Sequence, residues 1–185
     1  MQGFIEQTLN GLTYAGLLFL LGSGFTLIFG LMRVVNLAHG GTYLVGGYVG
    51  YSTIVFTHNF VLGLAAGAIA MAVFGVILER GLLLRVRGLP MSELLLTMGV
   101  AFIMGDLALA IWGGDPLAVH MPGVLDESSQ LGPLTYPNSR FFILGVAVLV
   151  AILLWLLLKR TRIGAIIRAG VDDREMVSAM GININ

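Results

Sequence analysis

Cysteine is absent from this 185-residue chain, which excludes disulfide bonds, thiolate nucleophiles and cysteine metal sites. Charged residues are scarce at 11%, and their net charge of +0 gives no sign of a nucleic-acid partner. Lysine occurs only at Lys159, after a run of leucines, so the chain has no G-x-x-x-x-G-K-[ST] nucleotide-binding loop. We therefore expect no ATPase site in the chain itself, no cofactor and no nucleic-acid binding.

Apolar residues dominate the composition. They make up 57% of the chain, and the mean hydropathy is +0.94. A helix needs about 20 apolar residues to cross roughly 30 Å of hydrocarbon. Segments of this kind lie at about 9–32, 34–57, 60–78, 91–113 and 141–158. The sequence predicts an all-α, polytopic transmembrane helical bundle of about five membrane helices, in which residues 1–185 form a single domain.

The positions of the basic residues predict the orientation, because Lys and Arg near helix ends stay on the cytoplasmic side. With the N-terminus outside, nine of the ten basic residues fall in cytoplasmic segments, and only Arg140 falls outside. Residues 114–140 contain four of the five prolines and are predicted to form an extracytoplasmic loop. Residues 159–185 are predicted to be cytoplasmic.

The second apolar segment opens with small and polar residues. Those that recur at spacings of three and four share one helix face: Asn36, His39, Gly40, Tyr43, Gly47 and Gly50. This face can line a translocation path, with an unwound turn at Gly40–Gly41. Alternatively, Asn36 and His39 serve only as hydrogen-bonding groups between helices. A metal site is not predicted, because no second ligand lies at a helical spacing from His39.

Two glycine pairs in the second and third segments have the spacing that allows close helix packing. They are Gly46 with Gly50 and Gly63 with Gly67. Because small residues let helix backbones approach each other, these glycines are interpreted first as packing sites.

A second motif follows the fifth segment and is too polar to span a membrane. Asp172 is predicted to cap a short amphipathic helix that ends at Gly181, with Met176, Ala179 and Met180 on one side. Such a helix can be a surface linker or can lie on the membrane. It can also dock a soluble subunit through its apolar side.

Four features together resemble the branched-chain amino-acid ABC permeases. They are the tight turn between the first and second apolar segments, and residues 36–40, 95–99 and 172–181. In that family the last feature is the coupling helix, with the signature Glu, two small residues, three variable residues and Gly. Glu175 and Gly181 keep this spacing, whereas Met176 and Val177 replace the small pair. The resemblance implies an ATPase-coupling surface at Asp172, Glu175, Met176, Ala179 and Gly181. Gly41 stands where the family often has an acidic residue.

The resemblance also implies where the protein is located and what it contacts. It implies a multi-pass permease in a bacterial inner membrane, surrounded by lipid. Its partners would be two cytoplasmic ATP-binding subunits, a second related permease and an extracytoplasmic substrate-binding protein, for which residues 114–140 are a candidate docking surface. Urea and amide permeases have similar sequences, so they remain an alternative. Because family members continue with further membrane helices, the chain is expected to be C-terminally truncated.

Two other functional classes are alternatives to a permease. A passive channel would use Asp106 as its intramembrane charge. A membrane-embedded enzyme would pair His39, as a base, with Ser23 or Ser52 as the nucleophile, although the chain has no G-x-S-x-G motif.

Overall fold

The computed structural model of the chain describes residues 2–32, 35–119, 121–131 and 134–172. The helices are α1 (Gln2–Met32), α2 (Ala38–Thr57), α3 (Phe60–Leu78), α4 (Leu84–Val86), α5 (Pro90–Trp112), α6 (Asn138–Arg160) and α7 (Arg162–Asp172). A π-helical turn (Glu79–Leu83) joins α3 to α4, and a 3-10 turn (Gly123–Leu125) precedes the strands β1 (Ser128–Leu131) and β2 (Leu134–Pro137). The predicted all-α class is confirmed, with one short β-hairpin in addition.

Within the described residues, four helical stretches are long and apolar enough to cross a membrane: Gly3–Gly30, Phe60–Val86, Pro90–Trp112 and Asn138–Arg160. Helix α2, with 20 residues, has the length of a membrane span but is not among these four. Its first half carries the histidine, glycines and tyrosine that lower its apolar content. The polytopic membrane character of the chain is therefore confirmed, and α2, the second of the five predicted spans, qualifies by length only.

The segment between the third and fourth predicted spans is helical as far as Val86. Gly88, with φ of 84°, then reverses the chain, and Pro90 begins α5. A carboxylate oxygen of Glu93 accepts the Gly88 N–H at 3.0 Å, and Glu93 is only 5% exposed. Glu93 thus stabilises the start of α5, where an acidic side chain is favoured beside a helix N-terminus.

The chain forms two compact units: Val34–Pro122, and Met1–Arg33 together with Gly123–Asn185. The Val34–Pro122 unit contains α2 to α5, and α2 packs against both α3 and α5. At the start of α2 lies a core of buried residues with partly buried neighbours: Ala38, Leu78, Leu83, Phe74, Leu96 and Val100.

Helices α2 and α3 cross with their backbones in contact. A Cβ atom on Gly67 would lie 2.7 Å from the carbonyl oxygen of Gly46, and one on Gly63 would lie 2.8 Å from that of Gly50. Conversely, a Cβ on Gly50 would lie 3.2 Å from the carbonyl oxygen of Gly63. Real Cβ atoms do not approach backbone oxygens at the two shorter distances, so no larger residue fits there. The predicted packing role of both glycine pairs is confirmed.

The other unit is built on α1 and α6. A Cβ on Gly16 would lie 3.3 Å from the Cβ of Ala147, which marks a close crossing of these helices. Strands β1 and β2 pair antiparallel, and the buried Tyr136 hydroxyl lies 3.0 Å from the hydroxyl of Thr13 in α1. Arg140 places its guanidinium 5.3 Å from the Tyr136 ring centroid and donates to Asn10. The 114–140 segment therefore includes a hairpin that is attached to α1.

Replacing Gly67 by alanine is expected to lower the free energy of unfolding by about 1–3 kcal/mol, because the added Cβ meets a backbone oxygen that cannot rotate away. Gly75→Ala is the matched control on the same helix, since a Cβ there meets no atom within 4 Å. Thermal unfolding of both variants in detergent provides the measurement. Equal melting temperatures would contradict the close backbone contact.

Candidate functional site

The turn before α2 is held by the side chain of Asn36. Its carboxamide oxygen accepts the Ala38 N–H at 3.0 Å, and its backbone oxygen accepts the His39 N–H at 3.2 Å. An Asn side chain that bonds to the backbone two residues ahead mimics a turn and starts a helix. This bond explains why α2 begins at Ala38, several residues later than the predicted start of the segment.

Thr97 attaches this turn to α5. Its side chain is fully buried, and its hydroxyl oxygen accepts the Leu37 N–H at 3.3 Å. The carbonyl oxygens of Leu94 and Val35, at 3.1 and 3.4 Å, are the acceptors for the hydroxyl proton. Thr97 was not among the predicted site residues. The only signal in the sequence is a single hydroxyl within the apolar stretch 95–99.

The predicted unwound turn at Gly40–Gly41 is wrong, because α2 is continuously helical from Ala38 to Thr57. Neither glycine has a positive φ. The side chains of Asn36 and Thr97 accept the N–H groups of Ala38 and Leu37, so the polar groups of this segment serve the start of the helix and not a break within it. A Cβ on Gly41 would lie 3.3 Å from the Cβ of Met104 in α5, so this glycine allows α2 and α5 to pack closely.

The four predicted path residues lie within the first turns of α2 and the loop before it, but their environments differ. Asn36 and His39 are half-buried. Gly40 is exposed, Tyr43 is 56% exposed, and a Cβ on Gly40 would meet nothing within 4 Å. Gly47, one turn beyond Tyr43, is equally open. We call the surface of Gly40, Tyr43 and Gly47 the open face of α2. Gly50, which was predicted on the same face, packs against α3 instead.

The geometry does not favour catalysis by His39. Ser52 lies 13 residues further along the same helix, which corresponds to about 20 Å. Its hydroxyl accepts a hydrogen bond from the indole N–H of Trp112 at 2.7 Å, and Tyr48 stacks on the Trp112 ring at 4.9 Å. Ser23 donates to the backbone oxygen of Leu20 at 3.1 Å within α1. Both serines therefore have structural bonding partners.

The open face of α2 consists of two glycines and a tyrosine, so it carries no charged residue of its own. Asp106, the candidate channel charge, is an exposed residue of α5. The described residues contain no group of three or more histidine, aspartate or glutamate side chains that could hold a metal ion. The chemistry of the open face is therefore that of a small, weakly polar surface rather than an ionic site.

Of the predicted ATPase-coupling segment, residues 172–181, the structure describes only Asp172. Helix α7 starts at Arg162, where the Thr161 hydroxyl accepts the Gly164 N–H at 3.0 Å. Asp172 is the last residue of α7, and the rest of the helix that it was predicted to cap lies outside the described residues. Gly164 allows α7 to start there, because a Cβ at this position would collide with the carbonyl oxygens of Leu157 and Leu158. The remaining predicted coupling residues lie outside the described residues: Glu175, Met176, Ala179 and Gly181.

Comparison with known proteins identifies the class of the chain. A family model described as branched-chain amino acid transport system, permease component, matches residues 7–185, and the chain belongs to this family.

Curated relatives include the high-affinity branched-chain amino acid transport system permease protein BraD of Pseudomonas aeruginosa. It is 29% identical over 199 residues, which cover 98% of this chain and 64% of BraD. The LivH permease proteins of Salmonella typhimurium and Escherichia coli are 26% and 23% identical over 97% of the chain and 63% of their own length. The chain thus spans less than two thirds of each of these relatives. No solved structure matches it.

Thr97→Val is expected to lower the free energy of unfolding by about 1–3 kcal/mol, because the Leu37 N–H loses its buried acceptor. Thr97→Ser should retain most of the stability, since it keeps the hydroxyl. The matched control is Thr53→Val, whose hydroxyl donates only to the Val49 backbone oxygen of its own helix. Thermal unfolding and hydrogen exchange at the Leu37 amide test this assignment. Unchanged hydrogen exchange at the Leu37 amide in Thr97→Val would contradict the hydrogen bond between Leu37 and Thr97.

Proposed function

We propose that the chain is a membrane-spanning permease subunit of an ABC importer for branched-chain amino acids. The observation that carries this proposal is the family match over residues 7–185, together with the four described stretches that can span a membrane. The relatives BraD and LivH are named as permease proteins of high-affinity branched-chain amino acid transport. Urea or another amide is the alternative substrate, and uptake competition separates the two.

The energy for transport comes from outside the chain. Two cytoplasmic ATP-binding subunits close on ATP and move the coupling segment around residues 172–181, which switches access to the path between the two sides of the membrane. A second related permease completes the path, and an extracytoplasmic binding protein delivers the substrate. Exposed cations at the end of α6 and in α7, namely Lys159, Arg160, Arg162 and Arg168, support a cytoplasmic position for this end and an N-terminus outside.

The open face of α2 is the proposed wall of the translocation path. Glycines at positions 40 and 47 leave space beside the helix, and the Tyr43 hydroxyl offers a polar group to a passing solute. Asn36 and His39 lie at the end of this face, where Asn36 fixes the start of the helix. A small, weakly polar wall suits a solute that must bind weakly enough to leave.

A cysteine at Met176 is expected to crosslink to a single-cysteine ATPase subunit in a nucleotide-dependent way, because the proposed coupling segment contacts that subunit. The natural chain has no cysteine, so the background is clean. A cysteine at Ser129, on the exposed hairpin of the proposed outer side, is the control and should not crosslink. A stable membrane protein without crosslinks at Met176 or its neighbours would contradict the ABC mechanism.

Gly40→Leu is expected to reduce leucine uptake about tenfold or more while leaving the melting temperature nearly unchanged, because the added side chain enters open space on the path side. Gly75→Leu adds the same side chain to an open position on α3 and should leave uptake unchanged. Radiolabelled leucine uptake, with urea as the competitor, is measured for both variants. If the two variants transport equally well, the open face does not line the path.

A further inference from the structure

The turn between α2 and α3 contains a histidine in an unusual conformation. Only His58 and Asn59 separate the two helices, and His58 has φ of 52° and ψ of 26°. Its N–H donates to the Ile54 oxygen at 2.8 Å, while the Asn59 side chain accepts the Leu62 N–H at 3.1 Å and caps α3. The left-handed residue therefore ends α2 and lets the chain reverse at once.

Glycine is the residue that usually occupies such a position, because it has no Cβ to strain. His58 is the single non-glycine residue with positive φ among those that the structure describes. A strained residue that persists where glycine would fit is a reason to ask what its side chain does. Here the side chain lines a cavity.

This cavity has a volume of about 500 Å³ and lies between the end of α2, the start of α3 and the segment that follows α5. Its wall combines aliphatic and aromatic side chains with the imidazole, and includes Tyr51, Ile54, Val55, Phe60 and Val119. Mostly apolar walls with a few polar groups, at this volume, are typical of sites for small molecules. We call it the His58 cleft.

We propose that the His58 cleft binds a free amino acid with a branched aliphatic side chain. The aliphatic part lies against Ile54, Val55 and Val119, and an imidazole N–H of His58 donates a hydrogen bond to the carboxylate. A charge-assisted bond to a carboxylate is stronger than a neutral one. The assignment rests on the proposed function, under which the cleft faces the side from which the substrate arrives.

The test is equilibrium binding of radiolabelled L-leucine to the full chain in lipid nanodiscs. We expect saturable binding that 4-methylpentanoate, which keeps the carboxylate, displaces better than isoamylamine, which lacks it. His58→Gly should weaken leucine binding about tenfold or more, because it removes the donor. The same variant should melt at the same or a higher temperature, because glycine relieves the left-handed strain.

Two further variants complete the design. Val119→Trp should also weaken binding, because it fills the cleft without changing the turn. Phe56→Ala is the control, since Phe56 is 89% exposed and is not part of the cleft wall; it should bind like the natural chain. Wild-type affinity in both His58→Gly and Val119→Trp overturns the proposal, as does the absence of binding at millimolar leucine.

Leucine uptake by cells that carry the complete transporter separates this proposal from the proposed function. Uptake that depends on the chain but is unaffected by His58→Gly and Val119→Trp overturns the cleft assignment and leaves the permease function standing. Uptake that does not depend on the chain refutes the function, whereas the nanodisc measurement still decides whether the cleft binds an amino acid.

Discussion

The contact between the α2 and α3 backbones determines how the helices of the Val34–Pro122 unit pack and how short the turn between α2 and α3 is. Lipid is as apolar as leucine, so helices in a membrane associate through close packing and not through burial of apolar surface. Gly46 and Gly50 lie against Gly67 and Gly63, with no room for a side chain at the tightest points. This contact brings the end of α2 so close to the start of α3 that two residues suffice for the turn. A turn this short requires a residue in the left-handed conformation at position 58.

A second contact fixes the rotation of α2. Gly41 approaches Met104, and Thr97 holds the residues before the helix, so a second side of α2 faces α5. Because two sides of α2 pack against α3 and α5, Gly40 and Tyr43 lie on the remaining, open side of the helix. The sequence pattern placed Gly40, Gly47 and Gly50 on one face, but periodicity alone does not distinguish a glycine that packs from one that leaves a surface open. That difference depends on distant residues: Gly50 packs against Gly63, 13 positions away, and Gly41 packs against Met104, 63 positions away.

Local patterns predicted the helices well and their termini less well. The third and fourth spans were expected at 60–78 and 91–113, and the helices are Phe60–Leu78 and Pro90–Trp112. Helix α7 was not predicted, and it starts after Thr161, whose hydroxyl accepts the Gly164 N–H. Its start also needs Gly164, because only a residue without a Cβ can approach the α6 carbonyl oxygens this closely. The hairpin was missed because Tyr136 is fixed by Thr13, 123 residues earlier.

Helix ends in a membrane protein need polar partners, because backbone groups left without them in hydrocarbon cost several kcal/mol each. This requirement fully explains Asn36, Thr97 and Asn59, whose side chains bond to N–H groups at or beside helix starts. It does not explain an open Gly40, an exposed Tyr43 or a histidine where glycine would serve the turn better. Residues that folding does not require, and that lie beside open space, are where a role in transport should be sought first.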